Sequence, residues 1–215
     1  MFSLESFHKE YETETTEFVV CGRKFRLYVP STIERFINPE DVFKDFPLWS
    51  KVWEASWVLS DYLARLPVCP EKRFLEIGAG LGLISIVGAS FGHKITLTDN
   101  NPLSLNFARA NALLNQCSNL EIKELDWNQP DLEGRFDYIL GSESLYTETS
   151  FNPLVKLFKS ALKSNGEIIL TSGVRKTTIE FFKQMQRFYN ITAQKKVLRS
   201  QGESFHILLC RMTPR

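Results

Sequence analysis

Beyond residue 73 short apolar runs alternate with helical stretches, and this alternation limits the fold more than any other property of the chain. The runs are RFLEIGAG (73–80), KITLTDN (94–100), LEIKELD (120–126), FDYILGSE (136–143) and EIILTSG (167–173). Helical stretches follow at 81–92, 101–116, 150–166 and 176–188, and a loop through 127–134 follows the third run. Asn101 as N-cap with Pro102 at the first helical position marks the start of one helix. Strand followed by helix, repeated, predicts a parallel sheet covered on both faces. The last two runs, YNITAQKKVLR and SFHILLCRM, have only SQGE between them and predict an antiparallel hairpin at one edge. The expected fold is therefore α/β: a doubly wound, Rossmann-like sheet of seven strands, mostly parallel, with a ligand crevice at the carboxyl ends of the strands.

Upstream, TEFVVCGRKFRLYVP alternates polar and apolar positions around Gly22 and predicts a β-hairpin. Residues 48–67 place Trp53, Trp57, Leu59, Tyr62, Leu63 and Leu66 near helical spacing before Pro67 ends the stretch. The expected division is an N-terminal extension, residues 1–45, and a main domain, residues 46–215. At 215 residues and 43% hydrophobic composition, one domain with a sizeable core suffices. The formal net charge of +1 does not call for a polyanion or a membrane surface. From residue 175 onward, nine Lys or Arg stand against two Glu, which reads as a mildly basic, solvated flank. Cys21, Cys69, Cys117 and Cys210 lack metal-ligand spacing, as do His8, His93 and His206, so no metal is expected. Scattered cysteines favour reduced thiols and a cytoplasmic protein. No signal peptide or membrane-length apolar run is read in the sequence.

LEIGAGLGL sets Gly78, Gly80 and Gly82 between a strand and a helix, where bare backbone and free N–H groups can approach a ligand. The pattern is E-x-G-x-G-x-G; the dinucleotide fingerprint needs glycine at 83, which is Leu83. Glu76 is ill placed for a pyrophosphate but can brace the turn. A zwitterion with a carboxylate, an ammonium and a sulfonium suits the site better. Asp99 closes the second strand, with Asn100 beside it, where a carboxylate can accept from two ribose hydroxyls or cap the next helix. Asp126 and Trp127 close the third strand: a carboxylate for an exocyclic amine and an indole for a purine face, or equally a loop residue and a core lid.

These features resemble the class I, seven-β-strand S-adenosylmethionine methyltransferases. Three further segments are similar to the methyltransferase-like protein lysine methyltransferases. They are VWEASWVLSDYL (52–63), the spacing D-x5-L-x5-N through Asp99, Leu105 and Asn111, and GSESLY (141–146). The similarity spans roughly residues 45–172. It implies S-adenosyl-L-methionine as cofactor, with Trp53 closing over it and the backbone of Gly78, Ala79 and Gly80 holding its methionine part. It further implies Asp99 at the ribose, Trp127 on the adenine and Ser142 lining the site.

The remaining pair is Glu143, at the end of an apolar strand, and Tyr146 three residues later. A lysine amine is only about one part in 10³ neutral near pH 7. A carboxylate beside it helps bind the ammonium but raises its pKa, so Glu143 is expected to position the nucleophile, with Tyr146 adding a hydroxyl or a cation–π face. The family's usual residue at 143 is Asp, and the Glu form resembles protein histidine methyltransferases. An imidazole needs orientation more than deprotonation. The expected function is N-methylation of a lysine, with histidine open, in a protein substrate, by a monomeric enzyme. The competing expectations are a small-molecule methyltransferase, a nucleic-acid methyltransferase, and a cofactor-binding module without turnover. The second lacks the N-P-P-[YF]-type motif that stacks a flipped base, so nucleic acid is not the expected partner.

Overall fold

The computed structural model describes residues 2–42, 46–118, 120–145, 147–200 and 202–215. A seven-stranded sheet forms the centre: β3 (Arg73–Ile77), β4 (Lys94–Asp99), β5 (Glu121–Glu124), β6 (Phe136–Ser142), β7 (Leu162–Gly173), β8 (Tyr189–Ser200) and β9 (Glu203–Pro214). The N-terminal hairpin supplies β1 (Thr13–Val20) and β2 (Arg23–Pro30). Strand order is β5-β4-β3-β6-β7-β9-β8. The first five strands of that order run parallel, whereas β9 is antiparallel to both β7 and β8. The mostly parallel sheet and its antiparallel C-terminal edge hairpin are as the sequence predicts. Strand order reverses between β3 and β6, and a ligand crevice belongs at the carboxyl ends of those strands.

The main helices are α2 (Glu54–Arg65), α3 (Leu83–Ser90), α4 (Pro102–Leu114), α5 (Phe151–Ala161) and α6 (Lys176–Met185). Side chains alternate across each strand, so parity in the sequence decides which helices a residue meets. Leu75, Ile77, Ile139, Ile168 and Leu170 cluster with Phe158 of α5 and Phe181 of α6. Their neighbours Phe74, Leu140 and Ile169 turn the other way and meet Leu59 and Leu63 of α2 and Ile84 of α3.

Two boundaries depart from the sequence reading. The helix expected to run to Gly166 stops at Ala161, and β7 begins at Leu162. Leu162 pairs with Phe136, the register then shifts, and a Cβ at Gly166 would lie 2.9 Å from the Asp137 carbonyl oxygen. Lys163 also pairs with the Asp137 carboxylate at 2.8 Å. These contacts draw the segment onto the sheet, and Ser164, Asn165 and Gly166 do little to hold it in a helix. Upstream, a 3-10 turn at Leu48–Ser50 precedes α2, which starts only at Glu54.

Asp137 ties the amino ends of three strands together. It is 4% exposed and accepts from the Arg73 N–H at 2.9 Å, with the Lys72 ammonium 3.0 Å away. Burial pushes its carboxyl up, but the Arg73 N–H and the Lys163 and Lys72 ammoniums outweigh burial and hold it down to about 2.

The hairpin turns at Cys21 and Gly22, with φ of 47° and 78°, as a tight two-residue connection requires. A short helix, α1 (Leu4–Glu10), precedes it, capped where Ser3 Oγ accepts the Ser6 N–H. The sequence alone did not predict α1; Phe7 and Tyr11 anchor it on Phe107, with ring centroids 4.9 and 5.1 Å apart. Phe18, Phe25 and Leu27 join the same cluster with Leu83 and Ile86 of α3. Two amides of α4 complete the docking. Asn111 Oδ1 accepts the Tyr28 N–H at 2.6 Å, and its Nδ2 donates to the Tyr28 carbonyl at 3.2 Å and the Leu81 carbonyl at 3.0 Å. Asn115 makes the matching pair with Arg26, at 3.1 and 2.6 Å. Side chains of α4 thus bond the β2 edge as a further strand would.

Asn111→Ala leaves the Tyr28 N–H and the Leu81 carbonyl without their partner in a buried setting, at about 1–3 kcal/mol each. Urea unfolding should show a loss of roughly 2–5 kcal/mol, with faster hydrogen exchange at the Tyr28 amide. A loss below about 1 kcal/mol would mean that the amide is not what docks the hairpin.

Candidate active site

The glycine turn follows β3, and its backbone is held from β4 and α4. Gly78 and Gly80 have φ of 60° and 56°, which favour glycine. A Cβ at Gly80 would lie tightly, 3.3 Å from the Trp49 carbonyl oxygen, and one at Gly78 would touch the Trp127 ring at 3.4 Å. The Gly80 N–H donates to Asp99 Oδ2 at 2.9 Å, and the Asn101 N–H donates to Asp99 Oδ1 at 2.9 Å. The Ala79 N–H reaches the Thr98 carbonyl at 3.0 Å, Ser104 Oγ donates to the Gly80 carbonyl at 2.9 Å, and Asn111 takes the Leu81 carbonyl. Asn101 caps α4 by accepting the Leu103 N–H. Asp99 therefore joins the turn to the start of α4, and its remaining lone pairs stay available to a ligand.

A cleft of about 680 Å³ opens over this turn. Gly78, Ala79, Gly80, Asp99, Asn100, Trp127, Ser142, Glu143 and Trp53 all line it, so most residues singled out in the sequence come together. Trp53 Nε1–H donates to the Leu48 carbonyl at 2.9 Å, which fixes the indole at one wall. Ser142 Oγ accepts from Ser56 Oγ at 3.1 Å, joining β6 to α2. Two carboxylates expected at the site stand apart from the cleft lining. Glu76 is 1% exposed beneath the turn and accepts a short hydrogen bond from Ser85 Oγ of α3, so it braces the turn. Asp126 is exposed past the end of β5 and accepts the Asn128 N–H at 2.8 Å within its own turn. Tyr146 lies outside the described residues. Trp49, Ser56 and Lys51 also line the cleft, and no pattern in the sequence distinguishes them.

Glu143 has φ of +50°, a left-handed conformation that costs a non-glycine residue on the order of 1–2 kcal/mol. Its N–H donates to the Thr171 carbonyl at 2.9 Å, and its carboxylate is bound on both oxygens. Oε1 accepts the Gly173 N–H at 2.8 Å; Oε2 meets Arg175 Nη2 at 2.7 Å and Ser172 Oγ at 3.3 Å. The turn after β7 thus clamps a residue at the end of β6. The cation beside Glu143 is Arg175, a residue that nothing in the sequence singles out.

A glycine turn at the switch point, a carboxylate at the end of the following strand and indoles on the cleft walls are the parts of an S-adenosylmethionine-dependent methyltransferase. The fold is similar to the crystal structure of precorrin-6y C5,15-methyltransferase from Geobacter metallireducens, with a TM-score of 0.61 and 17% identity, covering 83% of this chain and 93% of that one. The family model described as lysine methyltransferase matches residues 44–188, and the chain belongs to that family. It is 33% identical over 153 residues to the mouse protein N-lysine methyltransferase METTL21A, covering 66% of this chain and 68% of that protein. It is also 34% identical over 129 residues to histidine protein methyltransferase 1 homolog of Dictyostelium discoideum, covering 57% of this chain and 42% of that protein. The enzyme uses S-adenosyl-L-methionine, and the residues present fit it: the positive φ of Gly78 and Gly80 keeps a bare turn beside the cleft, and Asp99 keeps lone pairs there that hydroxyl groups could fill.

Glu76 makes stability depend on pH. Burial pushes its carboxyl up to about 8, Ser85 opposes the shift and the nearby Asp99 charge adds to it. The folded state therefore keeps a proton that the unfolded chain releases near 4.5. This stabilisation is complete below 4.5 and disappears as the pH rises to about 8. Unfolding free energy should fall across that window, by roughly 1.4 kcal/mol for each unit of displacement. Glu76→Gln should flatten the fall; the same slope in the variant would remove Glu76 as its source.

Proposed function

We propose that this methyltransferase N-methylates a lysine side chain of a protein substrate. The observation that carries the reading is Glu143, at the carboxyl end of β6 and lining the same cleft as the glycine turn. Bound S-adenosylmethionine supplies an electrophilic methyl group on a sulfonium. In this reading the Gly78–Gly80 backbone holds the methionine part, Asp99 accepts from the ribose hydroxyls, and Trp53 and Trp127 pack on the cofactor, with Asn100 and Ser142 at its margin. Glu76 acts indirectly, through the shape of the turn. Glu143 orients the acceptor nitrogen, with Tyr146 as its partner. Family membership and the similarity to a protein N-lysine methyltransferase support a protein substrate. Histidine is the second reading, favoured by the Arg175 contact on Glu143 and by the similarity to a histidine protein methyltransferase. The proposed enzyme is monomeric and cytoplasmic; its four free cysteines, two of them exposed, support a reducing compartment. No helix among the described residues is long and apolar enough to cross a membrane.

Incubation with methyl-labelled cofactor and fractionated lysate, followed by mass spectrometry, tests the reading. Label on lysine or histidine of a protein is the expected result, and label confined to RNA or metabolites rejects it. Asp99→Ala should weaken S-adenosylmethionine binding by about 100-fold or more in calorimetry, since two charge-assisted hydrogen bonds are lost. Glu143→Gln should keep cofactor affinity and lose about 10²-fold in transfer. Undiminished transfer would take Glu143 out of the mechanism.

A further inference from the structure

The carboxylate at the acceptor side of the cleft is already paired with a cation of the same chain. Glu143 is 6% exposed, and three donors reach it: the Gly173 N–H, Ser172 Oγ and the Arg175 guanidinium. Ser172 Oγ is itself held by Thr178 Oγ1 of α6 at 3.1 Å, and Thr178 Oγ1 donates to the Gly173 carbonyl at 3.1 Å. The clamp is therefore built into the β7–α6 turn. A carboxylate offers about four lone-pair positions, and three are used here. The other charged side chains of the cleft, among the described residues, are Lys51 and Asp99. Asp99 is engaged by the Gly80 and Asn101 amides, and Lys51 Nζ lies 4.0 Å from Glu54 and 4.9 Å from the Trp53 ring. Lys176, next to Arg175, pairs with Glu180 at 3.7 Å.

We infer that Arg175 sets the charge of the acceptor subsite: it fills the place beside Glu143 that a substrate ammonium would take, and so restricts the acceptor to an uncharged nitrogen. This rests on the protein N-methyltransferase reading above. With Glu143 and Arg175 together contributing no net charge, an arriving ammonium meets a guanidinium and gains no unpaired anion. An uncharged nitrogen that donates one N–H to the remaining lone pair of Glu143 keeps its own lone pair for the methyl group. An imidazole meets that requirement near neutral pH, and a lysine meets it only as the free amine. Arg175 is a positioning and specificity residue, acting through Glu143.

The test measures binding of Nα-acetyl-lysine methylamide and Nα-acetyl-histidine methylamide by NMR titration near pH 7, with S-adenosylhomocysteine present. The proteins compared are the wild type, Arg175→Gln and Arg175→Lys. In Arg175→Gln the lysine probe should bind about fivefold tighter, the upper end of what a partly exposed ion pair contributes. The histidine probe should bind that variant no more tightly, and Arg175→Lys should restore the wild-type preference. Melting temperature and S-adenosylhomocysteine affinity report whether the variants keep the fold. Equal response of the lysine probe in all three folded proteins, including no binding to any, overturns the inference. Stronger binding of the histidine probe to the wild type than the lysine probe assigns imidazole as the uncharged nitrogen; the reverse preference at pH 9 assigns the free amine. Protein labelling that depends on Glu143 while the probes ignore Arg175 removes this inference and leaves the proposed reaction. Absence of protein labelling with a probe response to Arg175 does the opposite.

Discussion

The hydrogen bond from the Gly80 amide to Asp99 is the contact on which the rest of the site depends. It spans adjacent parallel strands at their carboxyl ends, where the ladder has finished and backbone groups need other partners. By also taking the Asn101 amide, the same carboxylate fixes the first turn of α4. Trp127 can lie against Gly78 and Trp49 against Gly80 only because the turn is held in that shape. A side chain that the sequence singles out as a ligand candidate is thus a structural pin.

Two buried carboxylates near the cleft meet the cost of desolvation in different ways. Glu76 has a hydroxyl partner and no cation, and burial raises its carboxyl toward neutrality. Glu143 has a guanidinium and an amide and sits in a left-handed backbone conformation. Strain of that kind is kept where the surroundings over-determine a residue, and the clamp from the β7–α6 turn does so here.

Much of this was legible in the sequence for a physical reason: it is local. Strand-helix alternation, the glycine turn, Asp99 after its strand, the Asn101–Pro102 helix start and the edge hairpin all follow from neighbours within a few positions. What escaped depends on distant partners. Arg175 meets Glu143 across β7, and nothing near either residue announces the other. Residues 162–166 read as the end of a helix because Gly166 serves as a stop signal, and the pull of Phe136 and Asp137 cannot be seen in that stretch alone. For Asp126 the sequence left a ligand carboxylate and a loop residue equally open; β5 ends two residues earlier, and the carboxylate closes a turn. The N-terminal hairpin was predicted from its alternation, but its docking on α4 joins positions 83 residues apart.

That docking bears on how the chain matures as it leaves the ribosome. Phe7, Phe18, Phe25 and Leu27 are synthesised before the residues that cover them, Phe107 and Asn111, which follow about 80 to 100 positions later. An isolated two-stranded hairpin is marginal in water, so this one depends on α4 for its stability. The Asn111 amide that meets Tyr28 also holds the Leu81 carbonyl of the glycine turn. One side chain of α4 thus serves the hairpin and the glycine turn together, so a change that frees it is felt at both.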